Sequence, residues 1–542
     1  MSLLSINNLS IALPKGADRE LAVEDVSFTL DKGEILCIVG ESGSGKSMSA
    51  NALMGLLPEG VAPSDGSILF EDRDLLTLSE AEMLALRGAD ISMIFQEPLS
   101  ALNPLMRIGD QIAEVFEAHG LLTPAERRKR ALELLHEVGL PDPEQTIRAY
   151  PFQLSGGQRQ RVVIAMALAL EPKILIADEP TTALDVTTQA QILDLIENLR
   201  RTHGMAVLFI THDFGVVADI ADRVIVMQHG KVVEAGVADT VLLNPEHPYT
   251  RALLDAIPKL SFRESAEQGN DPILSVRDLN MTFTSRTGGL FKKPRVVKAV
   301  QNATFDLYQG ETIGIVGESG SGKSTLGRCL VRLLTPQSGV VRINGQDISQ
   351  IKGQELRQHR RRIQMIFQDP FSSLNPRARI GTILTEGLIA YGTDKTVARA
   401  KAEELLTLVG LDPSAMARFP HEFSGGQRQR VGIARALALD PEVIIADEAV
   451  SALDVSIQAQ VLDLLADLKD RLNLSMIFIT HDLRVAAQVC DRIIVMQRGK
   501  MVEFGPSAQV LGNPQTDYTQ SLLDAIPGKD HEAALVAQGA SV

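Results

Sequence analysis

The sequence predicts an α/β protein made of two tandem domains. Each has a mixed, mostly parallel sheet at its core and a helical subdomain inserted into it. Three observations carry this. The octapeptide GESGSGKS occurs at 40–47 and again at 317–324. Apolar runs without alternation (EILCIVG, ILIAD and VLFIT in the first half, ETIGIVG, VIIAD and MIFIT in the second) read as parallel strands buried on both faces. Between them lie helical patterns such as AERRKRALELLHEVGL and ARAKAEELLTLVGL, which are the inserted helices.

The octapeptide is the first of five paired signals in the same order. MIFQEPLSALNP at 93–104 pairs with MIFQDPFSSLNP at 365–376, and LSGGQRQRV at 154–162 with FSGGQRQRV at 423–431. ILIADEPTTALDV at 174–186 pairs with VIIADEAVSALDV at 443–455, and FITHD at 209–213 with FITHD at 478–482. Lys46 and Lys323 are 277 residues apart; Ser155 and Ser424, like Asp178 and Asp447, are 269 apart. A nearly constant offset means that a whole domain of about 250 residues is duplicated, a period far too long for a solenoid. The expected boundaries are 1–258 for the first domain, 259–272 for a polar linker, 273–527 for the second domain and 528–542 for a tail. The endings NPEHPYTRALLDAIP and NPQTDYTQSLLDAIP echo each other.

Hydrophobic residues make up 45% of the 542 and charged residues 22%, the balance of a globular chain. The net charge of −15 gives no general attraction to nucleic acid or anionic lipid. The basic runs RRKR at 127–130 and RQHRRR at 357–362 read as solvated helix faces. The cysteines, Cys37, Cys329 and Cys490, show neither disulfide nor zinc spacing and suit a reducing cytoplasm. The N-terminus has no signal-peptide pattern, and no run of about 18 apolar residues suggests a membrane span.

The chemistry follows from the paired motifs. Gly40, Glu41, Ser42, Gly43, Ser44 and Gly45 form a loop that can turn backbone N–H groups onto phosphate oxygens at the start of a helix. Gly317, Glu318, Ser319, Gly320, Ser321 and Gly322 repeat it. Lys46 and Lys323 would reach the β/γ-phosphates, and Ser47 and Ser324, the latter followed by Thr325, would hold Mg²⁺ through their hydroxyls. Asp178 and Asp447 end strands beside these loops, where a carboxylate suits Mg²⁺. Glu179 and Glu448 come next and can polarise a water for in-line attack on the γ-phosphate. His212 and His481, at the ends of other strands, can contact that phosphate, and Gln96 and Gln368 can ligate Mg²⁺ or the water. Ser155, Gly156, Gly157 and Gln158, with Ser424, Gly425, Gly426 and Gln427, open helices and offer a second anion site. Two such sites per domain make sense if the domains face head to tail, each completing the other's nucleotide site.

Taken together, these motifs resemble the ABC-type ATPase family over nearly the whole chain, twice. The resemblance implies two tandem phosphate-loop ATPase domains that bind ATP and Mg²⁺ and hydrolyse ATP. GESGSGKS, the FQ[ED]PxSxLNP segments and the repeated ending narrow it to ATPase subunits of importers for peptides, nickel or glutathione, in their fused two-domain form. That class implies two separate transmembrane permease subunits docking near the Gln96 and Gln368 loops, an extracytoplasmic substrate-binding protein, no nucleic acid, and a peripheral position at the cytoplasmic face of the membrane. Asp185 and Asp454 match the family's loop between the nucleotides. The chain departs from the pattern in three ways. Residues 11–27 hold no aromatic to stack on adenine, and Phe291 is the sole candidate in the second half. DEPTTALD becomes DEAVSALD, with both carboxylates kept, so two competent sites are expected. Three cysteines cannot supply the four-cysteine iron–sulfur site of some relatives. The rival reading is a soluble two-domain ATPase of the same family acting on ribosomes or nucleic acid, which such a short linker and acidic charge disfavour.

Overall fold

The computed structural model describes residues 2–17, 19–182, 184–262, 271–285, 295–369, 373–451 and 453–529. Residues 263–270 of the expected linker, Phe291 and residues 530–542 of the expected tail lie outside these. The chain divides into two compact units, one of Met1–Leu184, Thr188–Ile257 and Ile526–Val542, the other of Asp185–Thr187 and Pro258–Ala525.

In the first unit a six-stranded sheet runs in the order Lys231–Val237, Arg223–Gln228, Ile35–Val39, Ala206–Thr211, Ile174–Asp178, Ile91–Ile94. All its pairings are parallel except that of the edge strand Lys231–Val237. The central strands are apolar throughout because both faces are covered. Ile35, Cys37 and Val39 pack with the helices, whereas Leu36 and Ile38 pack beneath a four-stranded antiparallel sheet. Leu175 and Ala177 against Ile174 and Ile176 divide the same way. Alternation along the strand survives as a choice of core, invisible to a hydropathy pattern. The antiparallel sheet, Leu21–Asp31, Ser2–Ala12, Ala62–Phe70 and Arg73–Asp74, has one wet face and alternates accordingly.

The inserted helices Ile108–Ala118, Pro124–Glu137 and Pro143–Thr146 lie between strands Ile91–Ile94 and Ile174–Asp178. Ile112, Phe116, Leu134, Leu135 and Val138 join Val162 of helix Gly156–Ala167 in one core. The second unit repeats this plan. Ile363–Ile366, Val443–Asp447, Ser475–Ile479, Thr312–Val316, Arg492–Gln497 and Lys500–Pro506 are adjacent in that order, with Ile380–Ala390 and Lys395–Leu408 inserted after the first. There a single parallel bridge, Gln301 to Lys500, makes the two layers one ten-stranded sheet.

The basic run 357–362 is not a solvated face throughout. His359 is buried, Arg357 stacks 4.7 Å from the Tyr391 ring centre, and Arg362 pairs with Glu442 at 2.6 Å. Guanidinium groups can be held this way because their stems and planar faces pack while the N–H fork finds acceptors.

Candidate phosphate-loop ATPase sites

Residues 40–45 form the turn between strand Ile35–Val39 and helix Lys46–Leu53, and 317–322 the turn between Thr312–Val316 and Lys323–Leu330. Glycine is obligatory at the first position. Gly40 has φ +150°, and a Cβ there would lie 2.2 Å from the Met227 carbonyl oxygen; Gly317 stands in the same relation to Met496. Gly45 and Gly322 adopt the left-handed region just before their helices. The loop is thereby forced to curl around its own lysine. Lys46 Nζ donates to the carbonyls of Gly40 (2.6 Å) and Glu41 (2.9 Å), and Lys323 Nζ to those of Gly317 (2.6 Å) and Glu318 (2.9 Å). Both lysines are buried, and burial pulls the Lys323 ammonium below its usual value.

Around each loop the sheet delivers the expected side chains. Ser47 Oγ donates to Asp178 Oδ1 at 3.0 Å, and Ser324 Oγ to Asp447 Oδ1 at 2.8 Å. Gln96 Nε2 donates to Glu179 Oε2 at 2.8 Å, and Gln368 Nε2 to Glu448 Oε2 at 2.7 Å. His212 Nδ1 lies 3.3 Å from Glu179 Oε1, and His481 Nδ1 3.5 Å from Glu448 Oε2. Both glutamates hold left-handed backbone, φ +47° and +49°, fixed by N–H bonds to the carbonyls of Ile210 and Ile479 at 2.9 Å. Strain of this kind at a non-glycine residue persists only where neighbours enforce it.

The paired carboxylates are pulled in opposite directions. Burial pushes Asp178 up to about 6 despite the Ser47 hydroxyl and Lys46, and pushes Asp447 up likewise. Burial would raise Glu179 too, but the bonds and charge of His212, the Thr182 hydroxyl and Lys46 outweigh it and bring it to about 2. Glu448 is lowered against its burial by His481, Lys323 and Gln368, and His481 is raised against its burial by Glu448. A second carboxylate that stays ionised beside a phosphate loop can accept a proton from water.

The surroundings of the two glutamates differ at one hydroxyl. Thr182 Oγ1 donates to Glu179 Oε2 at 2.9 Å, whereas Ser451, three residues past Glu448, donates to that residue's backbone carbonyl at 3.1 Å. The change from DEPTT to DEAVS therefore removes one donor from the second glutamate and keeps the glutamine and histidine.

Ser155 and Gln158 form no part of the lysine cluster of their own unit. They bond each other as a capping box: Gln158 N–H to Ser155 Oγ at 3.3 Å, Ser155 N–H to Gln158 Oε1 at 2.9 Å. Ser424 and Gln427 do the same, at 3.3 and 3.1 Å. A hydroxyl that accepts from its own helix still has its proton to donate outward. The second glycine of each signature has a packing reason as well. A Cβ on Gly157 would meet Thr188 Cγ2 at 2.5 Å, and one on Gly426 would meet Ile457 Cγ2 at 2.5 Å. A Cβ on Gly156 or Gly425 would stand only at ordinary contact distance from Leu184 or Leu453. Asp454 is the residue before helix Val455–Leu472, and Asp185 precedes Val186–His203.

Three contacts at the loops were missed in the sequence. Arg19 Nη2 donates to the Gly43 carbonyl at 2.5 Å. The Tyr249 hydroxyl accepts from Glu41 N–H at 3.2 Å, and that of Tyr518 from Glu318 N–H at 3.1 Å. The repeated Tyr-Thr in the two endings was the visible signal for the tyrosines.

A strand, a curled loop with its lysine, a strand-end Asp-Glu pair and attendant glutamine and histidine define a nucleotide-hydrolysing cassette. The family profile described as ABC transporter matches residues 23–182 and again 300–451, more than half the chain, and the chain belongs to that family. A second profile, described as the oligopeptide/dipeptide transporter C-terminal region, matches 233–282 and 502–541. The chain is an ATP-binding ATPase of this family.

Among curated proteins it is 50% identical over 532 residues to the peptidoglycan transport ATP-binding protein YejF of Agrobacterium fabrum, covering 96% of each chain. It is 48% identical over 558 residues to the glutathione import ATP-binding protein GsiA of Escherichia coli O157:H7, covering 97% of this chain and 90% of that one. Among solved structures, the dimeric post-hydrolysis state of the ATP-binding cassette MJ0796 bound to ADP and Pi aligns with a TM-score of 0.39 and 29% identity, over 43% of this chain and 98% of that one.

Proposed function

We propose that the chain is the ATP-hydrolysing subunit of an importer for peptides or a related small substrate, of the dipeptide, oligopeptide, glutathione or microcin-like kind. The observation that carries this is the oligopeptide/dipeptide transporter C-terminal region, matched once after each cassette. Full-length likeness to proteins named for peptidoglycan transport and glutathione import supports the same class. Among the described residues no helix is long and apolar enough to cross a membrane. Separate permease subunits, docking near the Gln96 and Gln368 loops, would supply the path, an extracytoplasmic binding protein would supply cargo, and the chain would sit at the inner face of the membrane.

At each site the loop N–H groups and Lys46 or Lys323 hold the triphosphate. Glu179 or Glu448 takes a proton from water as its oxygen attacks the γ-phosphorus in line. The bond from that phosphorus to the bridging oxygen breaks, and ADP leaves with the electron pair. His212 or His481 fixes the glutamate and meets the γ-phosphate. The hydroxyl of Ser47, the carboxylate of Asp178 and the side-chain oxygen of Gln96 form a hard-oxygen set that suits Mg²⁺, and Ser324, Asp447 and Gln368 repeat it. Bound there, the ion would neutralise phosphate charge. The doubled signatures support the expectation that Ser155 serves the nucleotide held by Lys323 and Ser424 the one held by Lys46.

The test is purification of the chain from its own cells with whatever it holds. Two membrane permeases and ATP hydrolysis stimulated by a loaded binding protein in proteoliposomes are expected. Salt-sensitive sedimentation with ribosomes, with no permease, would contradict import.

A further inference from the structure

We propose that Tyr249 and Tyr518 are positioning residues for ATP. Each braces a phosphate loop from the segment that follows its cassette, and so makes that segment a working part of the nucleotide site. The inference rests on the phosphate-loop reading above.

Tyr249 stands at the start of helix Pro248–Asp255, and Tyr518 at the start of Asp517–Asp524. Tyr249 Oη accepts from Glu41 N–H at 3.2 Å and donates to Glu41 Oε2 at 3.2 Å, closing a ring on the second residue of the loop. Tyr518 Oη accepts from Glu318 N–H at 3.1 Å, and burial together with the nearby Glu318 pushes its hydroxyl up to about 12. The phenol therefore keeps its proton at any working pH. Tyr249 thus satisfies a loop N–H and at the same time holds the Glu41 carboxylate, while Tyr518 satisfies the loop N–H and donates to the Met496 carbonyl at 3.5 Å.

The brace has its own foundation, again built twice. Glu234, on the edge strand Lys231–Val237, accepts from the N–H groups of Glu246 (2.7 Å) and His247 (3.1 Å), just before the tyrosine helix. Glu503, on the strand Lys500–Pro506, accepts from Gln515 N–H (2.9 Å) and from the hydroxyls of Thr516 (3.1 Å) and Thr519 (2.6 Å). The strand carboxylate fixes the turn, the turn fixes the helix, and the helix aims the phenol at the loop. Different residues fill the turn, His247 in one half and Thr516 in the other, yet the phenol reaches the same loop atom. The contact with the loop is thus kept in both copies while the turn that supports it has changed.

The experiment compares the full chain with the Tyr249→Phe/Tyr518→Phe variant, which keeps both rings and removes both hydroxyls. Steady-state ATP hydrolysis, binding of a fluorescent ATP analogue and thermal melting are measured. The brace predicts a KM for ATP and a Kd for the analogue raised about five- to tenfold, with kcat within about twofold and an unchanged melting temperature. Unchanged KM and Kd would overturn it. So would a lower kcat and melting temperature at constant KM, the pattern of a merely structural hydroxyl. Should the double variant not fold, Tyr518→Phe alone is judged by the analogue's Kd on the same criterion. Lys46→Ala/Lys323→Ala is the control. If that variant binds and hydrolyses ATP normally, the phosphate-loop reading itself falls; if it is inactive while the phenylalanines change nothing, only the brace falls.

Discussion

Gln96 holds Glu179 through a 2.8 Å hydrogen bond from its side-chain amide to a carboxylate oxygen, and Gln368 holds Glu448 in the same way at 2.7 Å. The glutamine lies two residues past the strand that precedes the inserted helices, so the glutamate proposed to accept the proton at each site is tied to the part of the domain proposed to meet a permease. A shift of that strand end would move the carboxylate directly.

Removing the amide should therefore hurt turnover more than binding. Gln96→Ala/Gln368→Ala is expected to lower kcat about tenfold or more while the KM for ATP stays within about threefold. A KM effect with normal kcat would place the glutamines in ground-state binding instead.

Thr182 supplies the first site with a donor that the second site lacks. Thr182→Val should slow hydrolysis at the first site by about three- to tenfold, the worth of one hydrogen bond to a charged group that water partly replaces. Ser451→Ala should leave turnover unchanged. Single-turnover assays, each with the other site silenced by its lysine substitution, would read the two separately. Equal losses for both variants would contradict this asymmetry.

Gly157 has no room for a methyl group against Thr188. Gly157→Ala should cost about 1–3 kcal/mol in urea unfolding, and Thr188→Ser, which deletes the methyl in the way, should return much of that in the double variant. Additive losses would mean that the Thr188 methyl is not what excludes the alanine.

Glu234 gives a pH signature. Burial pushes its carboxyl up, but the N–H groups of Glu246 and His247 and the nearby His247 ring help to outweigh that, so the folded value lies below the ordinary one. A lowered carboxylate contributes stability that is present above the unfolded pKa and is lost as pH falls through the folded one. Glu234→Gln should thus cost about 1 kcal/mol at pH 7, a modest figure because water reaches the carboxylate, and progressively less as pH falls below the ordinary carboxylate range. A cost independent of pH would show that the charge is irrelevant.

Much of this was legible in the sequence, for a definite reason. The phosphate loops, Asp-Glu pairs, glutamines and histidines all sit at the ends of strands in a parallel sheet, so local motif order fixes where they meet. Contacts between distant segments left weaker traces. Tyr249 lies 208 residues from Glu41, and only the repeated ending hinted at it. The second signature glycine looked like part of an anion site, whereas its packing partner became visible only in three dimensions. The 357–362 run read as solvent-facing because composition cannot show that Tyr391 and Glu442 wait beside it.

The most direct measurement is phosphate release by the full chain carrying Glu179→Gln/Glu448→Gln. The substitution removes the two proposed proton acceptors and leaves both loops and lysines in place. ATP should still bind with near-normal affinity while steady-state hydrolysis falls by at least about a hundredfold. Hydrolysis within a fewfold of the unmodified chain would contradict the assignment of these two glutamates, and with it the account of how either site works.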